Sequence, residues 1–170
     1  MKSIQRFLFV VLATLGGSTA IIAQSTANAT ATATILTAIS IAKTVDLNFG
    51  NVAVQESAGG TVMLTPLGVR SVTGGVTLPA SAGTVTAASF NISGEGTYTY
   101  SITLPSSAHT ITSGANSMTV TAFSSLPSGI GTLTAGAQVL KVGATLNVTA
   151  AQPNGTYASE TGFNVTVNYN

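Results

Sequence analysis

The last eight residues constrain this chain most. Phe163, Val165, Val167 and Tyr169 alternate with Asn164, Thr166, Asn168 and Asn170. Strict period-two alternation in residues that suit a pleated surface predicts a half-buried β-strand. The same pattern recurs upstream. Tyr98, Tyr100, Ile102 and Leu104 share one face of a segment whose other face is Thr97, Thr99, Ser101 and Thr103. From Ala137 to Ala150, Leu140, Val142, Ala144, Leu146 and Val148 all fall on one side. No stretch sustains a 3.6-residue period. Short strands separated by Gly, Pro and Ser predict an all-β fold: one antiparallel β-sandwich with Greek-key connections.

Further strands are expected at Val45–Gly50, at Thr61–Thr65 before Pro66, at Val76–Leu78 before Pro79, and at Asn116–Phe123. A short one is expected around Thr132-Leu133. Ala88–Ser93 and Thr97–Leu104, linked by Gly94-Glu95-Gly96, read as a hairpin, because a three-residue glycine-containing loop is a common hairpin link. Gly143, inside the long late strand, marks a bulge or a close backbone approach.

Residues 29–41, ATATATILTAISI, are apolar at every odd position except Thr37 and carry neither charge nor proline. This is longer than the usual strand of five or six residues. It is either the domain's own first strand with a lead-in, or an extension that pairs with another subunit. An exposed edge of this kind templates pairing with other chains unless it is blunted or used.

Charge is scarce: 5% of the 170 residues are Asp, Glu, Lys or Arg, against about 25% in ordinary domains. Hydrophobicity is high, so the composition is not that of a disordered chain. Residues 1–23 read as a secretory signal peptide. Lys2 and Arg6 precede an apolar run from Phe7 to Leu15, and Gly16-Gly17-Ser18 breaks it. Ala23 or Ala27 supplies the small residue at the cut. The run is too short for a stable membrane anchor. Beyond it remain Lys43, Arg70 and Lys141 against Asp46, Glu56, Glu95 and Glu160, a formal charge near −1. No Lys/Arg cluster is present to contact phosphates, which argues against nucleic-acid binding.

The residues offer little for catalysis. There is no cysteine, and His109 is the sole histidine. No serine sits in a nucleophile-elbow pattern, and the four acids are scattered over turns and loop edges. One histidine and dispersed carboxylates are too few for a zinc site or a calcium cage. His109 is expected to be structural, solvated or hydrogen-bonded. The expectation is a non-enzyme with no catalytic, cofactor-binding or metal residues and no cofactor.

Several stretches in order carry a resemblance: Asp46-Leu47-Asn48-Phe49-Gly50, Ala88-Ser89-Phe90 with Gly94-Glu95, Tyr100 to Pro105, Met118-Thr119-Val120, Gly131-Thr132-Leu133, Val142 to Val148, Gly155-Thr156-Tyr157 and Val165 to Tyr169. With them the chain resembles the bacterial DUF4402 domain, which is related to spore-coat-U-like and chaperone–usher pilin-like proteins. Those wider groups share a Leu-x-Phe-Gly near the start and an alternating terminal strand with a penultimate tyrosine, here Tyr169.

The resemblance implies an incomplete immunoglobulin-like fold completed by a strand from a chaperone or neighbouring subunit. It would make residues 35–170 the domain and residues 24–34 an N-terminal extension, or the first half of its first strand. Phe163, Val165, Val167 and Tyr169 would line the subunit groove, and Ala29, Ala31, Ala33 and Ile35 would be donor positions. The implied role is a secreted structural subunit of a surface fibre or coat. It would pass through the periplasm of a Gram-negative bacterium to the cell surface or beyond. Its partners would be copies of itself or pilin-like neighbours, with a periplasmic chaperone and an usher in transit. Pilins commonly carry a disulfide, which this chain lacks, and the segment from Ala29 runs into Ile41 and could equally be the domain's own first strand; a monomeric, self-complete surface or adhesive module is the alternative.

Overall fold

A computed structural model describes residues 24–170; the signal-peptide reading of residues 1–23 falls outside them. Residues 35–170 form one compact unit. Residues 24–34 contain no strand, and each of them is exposed to solvent. The described residues are all-β and contain no helix.

Twelve strands make up the unit. They are β1 (Ser40–Val45), β2 (Ala53–Val54), β3 (Gly60–Leu64), β4 (Arg70–Gly74), β5 (Val76–Thr77) and β6 (Ala88–Ser93). Then come β7 (Thr99–Thr103), β8 (His109–Ser113), β9 (Asn116–Leu126), β10 (Ile130–Thr132), β11 (Ala137–Val148) and β12 (Thr166–Tyr169). All pairing between them is antiparallel.

The organising strand is β11. Along one edge it pairs first with β6, from Ala137 to Val142, and then with β3, from Ala144 to Val148. Its opposite edge is taken by β9, which in turn pairs with β8. With β1 beyond β6 and β4 beyond β3, this makes a seven-stranded sheet. A second sheet has the order β10-β7-β12, and β2 pairs with β5.

Every second residue of β11 from Leu140 to Val148 is buried, as the alternation predicts. Two apolar clusters share that face. One joins Phe49, Val62, Leu64, Val76, Val120, Ala144, Leu146 and Val148. The other joins Ala88, Phe90, Ile92, Leu140 and Val142 of the large sheet to Tyr100, Leu133 and Val167 from the small sheet and its margin. Leu47 and Phe123 pack against both.

The expected bulge lies across the ladder from where it was sought. Between Thr121 and Ser124, β9 carries two residues opposite the single Ala144, and Ala122 takes a φ of 48°. This slip changes which β9 side chains face inward: Val120 before it, Ser125 after it. Gly143 itself is a point of close approach, where β11 passes from β6 to β3.

Two further expectations are corrected. Ala88–Ser93 and Thr99–Thr103 are strands, but they do not form a hairpin. β6 pairs with β1 and β11, while β7 pairs with β10 and β12. In different sheets, they bury Phe90, Ile92 and Tyr100 in one cluster. The connecting turn is held by Gly136, which accepts from the Gly94 N–H at 2.9 Å and donates to the Gly96 carbonyl at 2.7 Å. The second correction concerns residues 29–41, where regular pairing begins only at Ser40. Ser40 sits opposite Ser93, the last residue of β6, so the residues before it have no neighbour on that strand.

Candidate functional site

The four residues proposed to line a groove share one side of the terminal segment. Phe163, Val165 and Tyr169 are half-buried and Val167 is 7% exposed, while Asn164, Thr166 and Asn168 face solvent. All four pack on the cluster that also receives Ile39 and Ile41 of the same chain. β12 hydrogen-bonds to β7 along one edge, and no strand pairs with its other edge among the described residues.

Tyr169 ties the two ends of the unit together. Its hydroxyl accepts from the Glu95 N–H at 2.6 Å and donates to the Thr37 carbonyl at 2.9 Å. The Tyr98 ring meets its ring edge-on at 5.9 Å. Gly94 makes room for that hydroxyl, because a Cβ there would overlap it. The Thr37 hydroxyl donates to Glu95 Oε2 at 2.7 Å, with the Thr37 amide at 3.4 Å.

These two donors, the hydroxyl first, hold the Glu95 carboxyl below its usual range. A carboxylate with a depressed folded pKa contributes stability above its unfolded value and loses it as pH falls through the folded one. The Thr37 amide resonance is therefore expected to titrate with a midpoint below the ordinary glutamate value of about 4.3. A pH titration by two-dimensional NMR, with Glu95→Gln as the non-titrating control, checks this. A midpoint at or above the ordinary value would count against it.

Of the proposed donor positions, Ala29, Ala31 and Ala33 are exposed, and Ile35 is 96% exposed. For an isoleucine that is a large apolar surface left in water.

A second feature was not legible in the sequence: a cleft of about 1130 Å³ over the inner face of the large sheet. Its floor comes from four adjacent strands, with Phe90 on β6, Leu146 and Val148 on β11, Met118 and Val120 on β9, and Ile111 on β8. One wall is the chain from Asp46 to Val54 and the other runs from Gln152 to Ser159. Phe90, Val120, Leu146 and Val148 are between 3% and 8% exposed, so only a small part of each reaches the cleft.

Both walls are pinned by side-chain hydrogen bonds. Arg70 Nη1 donates to the carbonyls of Phe49 at 2.7 Å and Asn51 at 2.9 Å. Across the cleft, Gln152 Nε2 donates to the Ser117 carbonyl at 3.2 Å and to the Tyr157 hydroxyl at 2.8 Å, and that hydroxyl donates to the Pro153 carbonyl at 2.8 Å. The composition of the segment from Gln152 to Ser159 gives no hint that it stands as a wall.

Charge is nearly absent from the cleft. Lys43 and Asp46 line it and pair with each other at 2.5 Å. His109 sits at its edge, half-buried, with its ring 6.0 Å from that of Phe163 and its Nε2 enclosed without a hydrogen-bond partner. Among the described residues no group of three His, Asp or Glu side chains stands close enough to hold a metal ion. The chemistry on offer is apolar contact at the floor, beside neutral amide side chains in the walls, Asn48, Asn51, Gln152 and Asn154. That suits an uncharged, extended partner better than a charged small molecule.

Fold and cleft together define an antiparallel all-β domain with a recess of low charge along its main sheet. The chain belongs to the family described as a domain of unknown function (DUF4402), which it matches over residues 39–169. Neither curated proteins nor solved structures gave a significant match.

Proposed function

We propose that this chain is an exported structural subunit of a bacterial surface fibre or coat. In this reading it is a pilin-like, immunoglobulin-like sandwich with Greek-key connections, and it joins neighbouring copies by strand donation. One observation carries the proposal: an exposed, uncharged stretch with alternating small and apolar residues occurs in the same chain as a cleft with an apolar floor and no net charge in its lining. Strand addition gains affinity from main-chain hydrogen bonds and specificity from alternate side chains entering pockets. Burying three alanines and one isoleucine contributes about 5 kcal/mol gross, before ordering costs. A lasting fibre would therefore depend on the backbone ladder as well as on the side chains. Export through the periplasm, with a chaperone and an usher covering the stretch in transit, belongs to the same proposal.

Negative-stain microscopy of the purified mature protein tests it, alongside a variant lacking residues 24–34. Fibres or short polymers are expected from the mature chain, and single particles from the deletion. Single particles from both would overturn the reading.

A second reading, a self-complete surface or adhesive module, is favoured by the pairing of β1 with β6 and by Ile39 and Ile41 packing in their own chain's core. The same experiment separates the two, since a self-complete module stays single with or without residues 24–34.

A further inference from the structure

We infer that the acceptor for the donated stretch is the cleft over β8, β9 and β11, and that its occupant is residues 29–35 of a second copy. This rests on the strand-donation reading and departs from the family resemblance, which points to the terminal strand. The apolar side of the terminal strand is already in use. Val167 is 7% exposed, Ile39 and Ile41 pack on the same cluster, and the Tyr169 hydroxyl is hydrogen-bonded as both donor and acceptor. A donor whose side chains are to fill that side has to displace Ile39 and Ile41 of the chain itself. The cleft asks for no displacement of the sheet: β9 and β11 are paired on both edges, so a strand lying over them would take its main-chain hydrogen bonds from the walls, from Asp46 to Val54 and from Gln152 to Ser159.

Shape and charge agree with this occupant. An extended run of residues 29–35 puts Ala29, Ala31, Ala33 and Ile35 on one side and Thr30, Thr32 and Thr34 on the other. Alanine is small enough to lie close over a floor that includes Val120 and Leu146. Ile35, 96% exposed in the single chain, gains most from burial. The walls beside it carry neutral amide side chains, Asn48, Asn51, Gln152 and Asn154, so the outward threonines meet no charge there. Lys43 and Asp46 already neutralise each other, so a charged segment would enter without a counter-charge. Residues 24–42 bring none.

The absence of cysteine makes the contact directly mappable. Mature Ala33→Cys protein is mixed with Met118→Cys protein, Met118 being on the cleft floor, and with Val165→Cys protein in parallel. Both mixtures are oxidised mildly, and disulfide-linked heterodimers are measured on non-reducing gels. The expected result is at least tenfold more heterodimer with Met118→Cys than with Val165→Cys. Val54→Cys, on the cleft wall, replaces Met118→Cys if circular dichroism shows that variant misfolded.

Preferential linkage to Val165→Cys would overturn the cleft assignment while leaving strand donation standing. Fibres under the microscope with no linkage to either cleft cysteine would do the same. An Ala33→Cys/Met118→Cys double variant that closes its disulfide within one chain would overturn the second copy as occupant. Absence of both fibres and linkage would remove this inference together with the function it rests on.

Discussion

Gly143→Ala is expected to destabilise the protein by more than about 3 kcal/mol, and Gly143→Val to prevent folding at ordinary temperature. Local propensity alone gives the opposite sign, because glycine inside a strand costs roughly 0.5–1 kcal/mol relative to alanine. The reversal comes from the position of Gly143 in β11. At Val142 the strand still pairs with Ala88 of β6, and at Ala144 it already pairs with Leu64 of β3. The end of β3 therefore closes directly onto Gly143. A Cβ there would overlap the Leu64 carbonyl oxygen and stand 2.6 Å from the Thr65 carbonyl carbon and 2.8 Å from the Pro66 nitrogen. All three obstacles are backbone, so no rotamer change relieves them. Relief requires parting β3 from β11, which opens the cluster holding Val62, Leu64 and Leu146. Against a net stability of about 5–15 kcal/mol, the valine variant has little margin. Urea denaturation checks this, with Lys141→Ala on the exposed side of the same strand as control, expected within about 0.5 kcal/mol of the parent. An unchanged midpoint for Gly143→Ala would contradict the close approach.

Tyr100→Ala is expected to cost about 3–5 kcal/mol, the range for removing a buried aromatic ring. Tyr100 is fully buried on the middle strand of the small sheet, between β10 and β12. Gly131, its partner on β10, lies against the ring so closely that a Cβ would overlap it. The hydroxyl donates to Gln138 Oε1 at 2.6 Å, and the same oxygen accepts from the Thr132 N–H at 3.1 Å. Tyr100→Phe thus removes one hydrogen bond without orphaning its acceptor, and a smaller loss of about 1 kcal/mol is expected. Burial also pushes the Tyr100 phenol above its usual range. A raised folded value means that the contribution is complete below the unfolded pKa and lost as pH rises through the folded one. The parent should therefore lose stability at alkaline pH faster than Tyr100→Phe. Denaturation midpoints for the three proteins at neutral and alkaline pH test both points. Parallel alkaline losses in parent and Tyr100→Phe would show that another group is responsible.

These two sites were legible in the sequence to very different degrees. Tyr100 stood on an alternating face with Ile102 and Leu104, and its burial follows from that pattern. Gly143 was marked as a bulge or a close approach, and the two could not be told apart without knowing that β3 ends against it. Strand β4 has one half-buried valine among Arg, Ser, Thr and Gly, too weak a pattern to announce a strand; β3 beside it supplies the reason it is one. The hairpin expected from β6 and β7 was misjudged for a related reason. Both strands were visible, but which sheet each joins depends on β1, β10, β11 and β12, whose residues lie far away along the chain. The cleft was invisible because it is space between loops, and loop composition carries no record of enclosure.

The sequence by itself determined that this chain is built from strands, and which side of most of them turns inward. That information is local: a period of two in side-chain type can be read without knowing any partner. Only the tertiary structure decided who pairs with whom, and so which apolar surface is left over. In the terminal strand, Phe163 to Tyr169 alternate as their residues dictate. That their inner side meets Ile39 and Ile41 while a cleft stays open elsewhere on the large sheet follows from contacts between distant segments. Pairing and burial are properties of two surfaces at once, and a single stretch of sequence specifies only one of them.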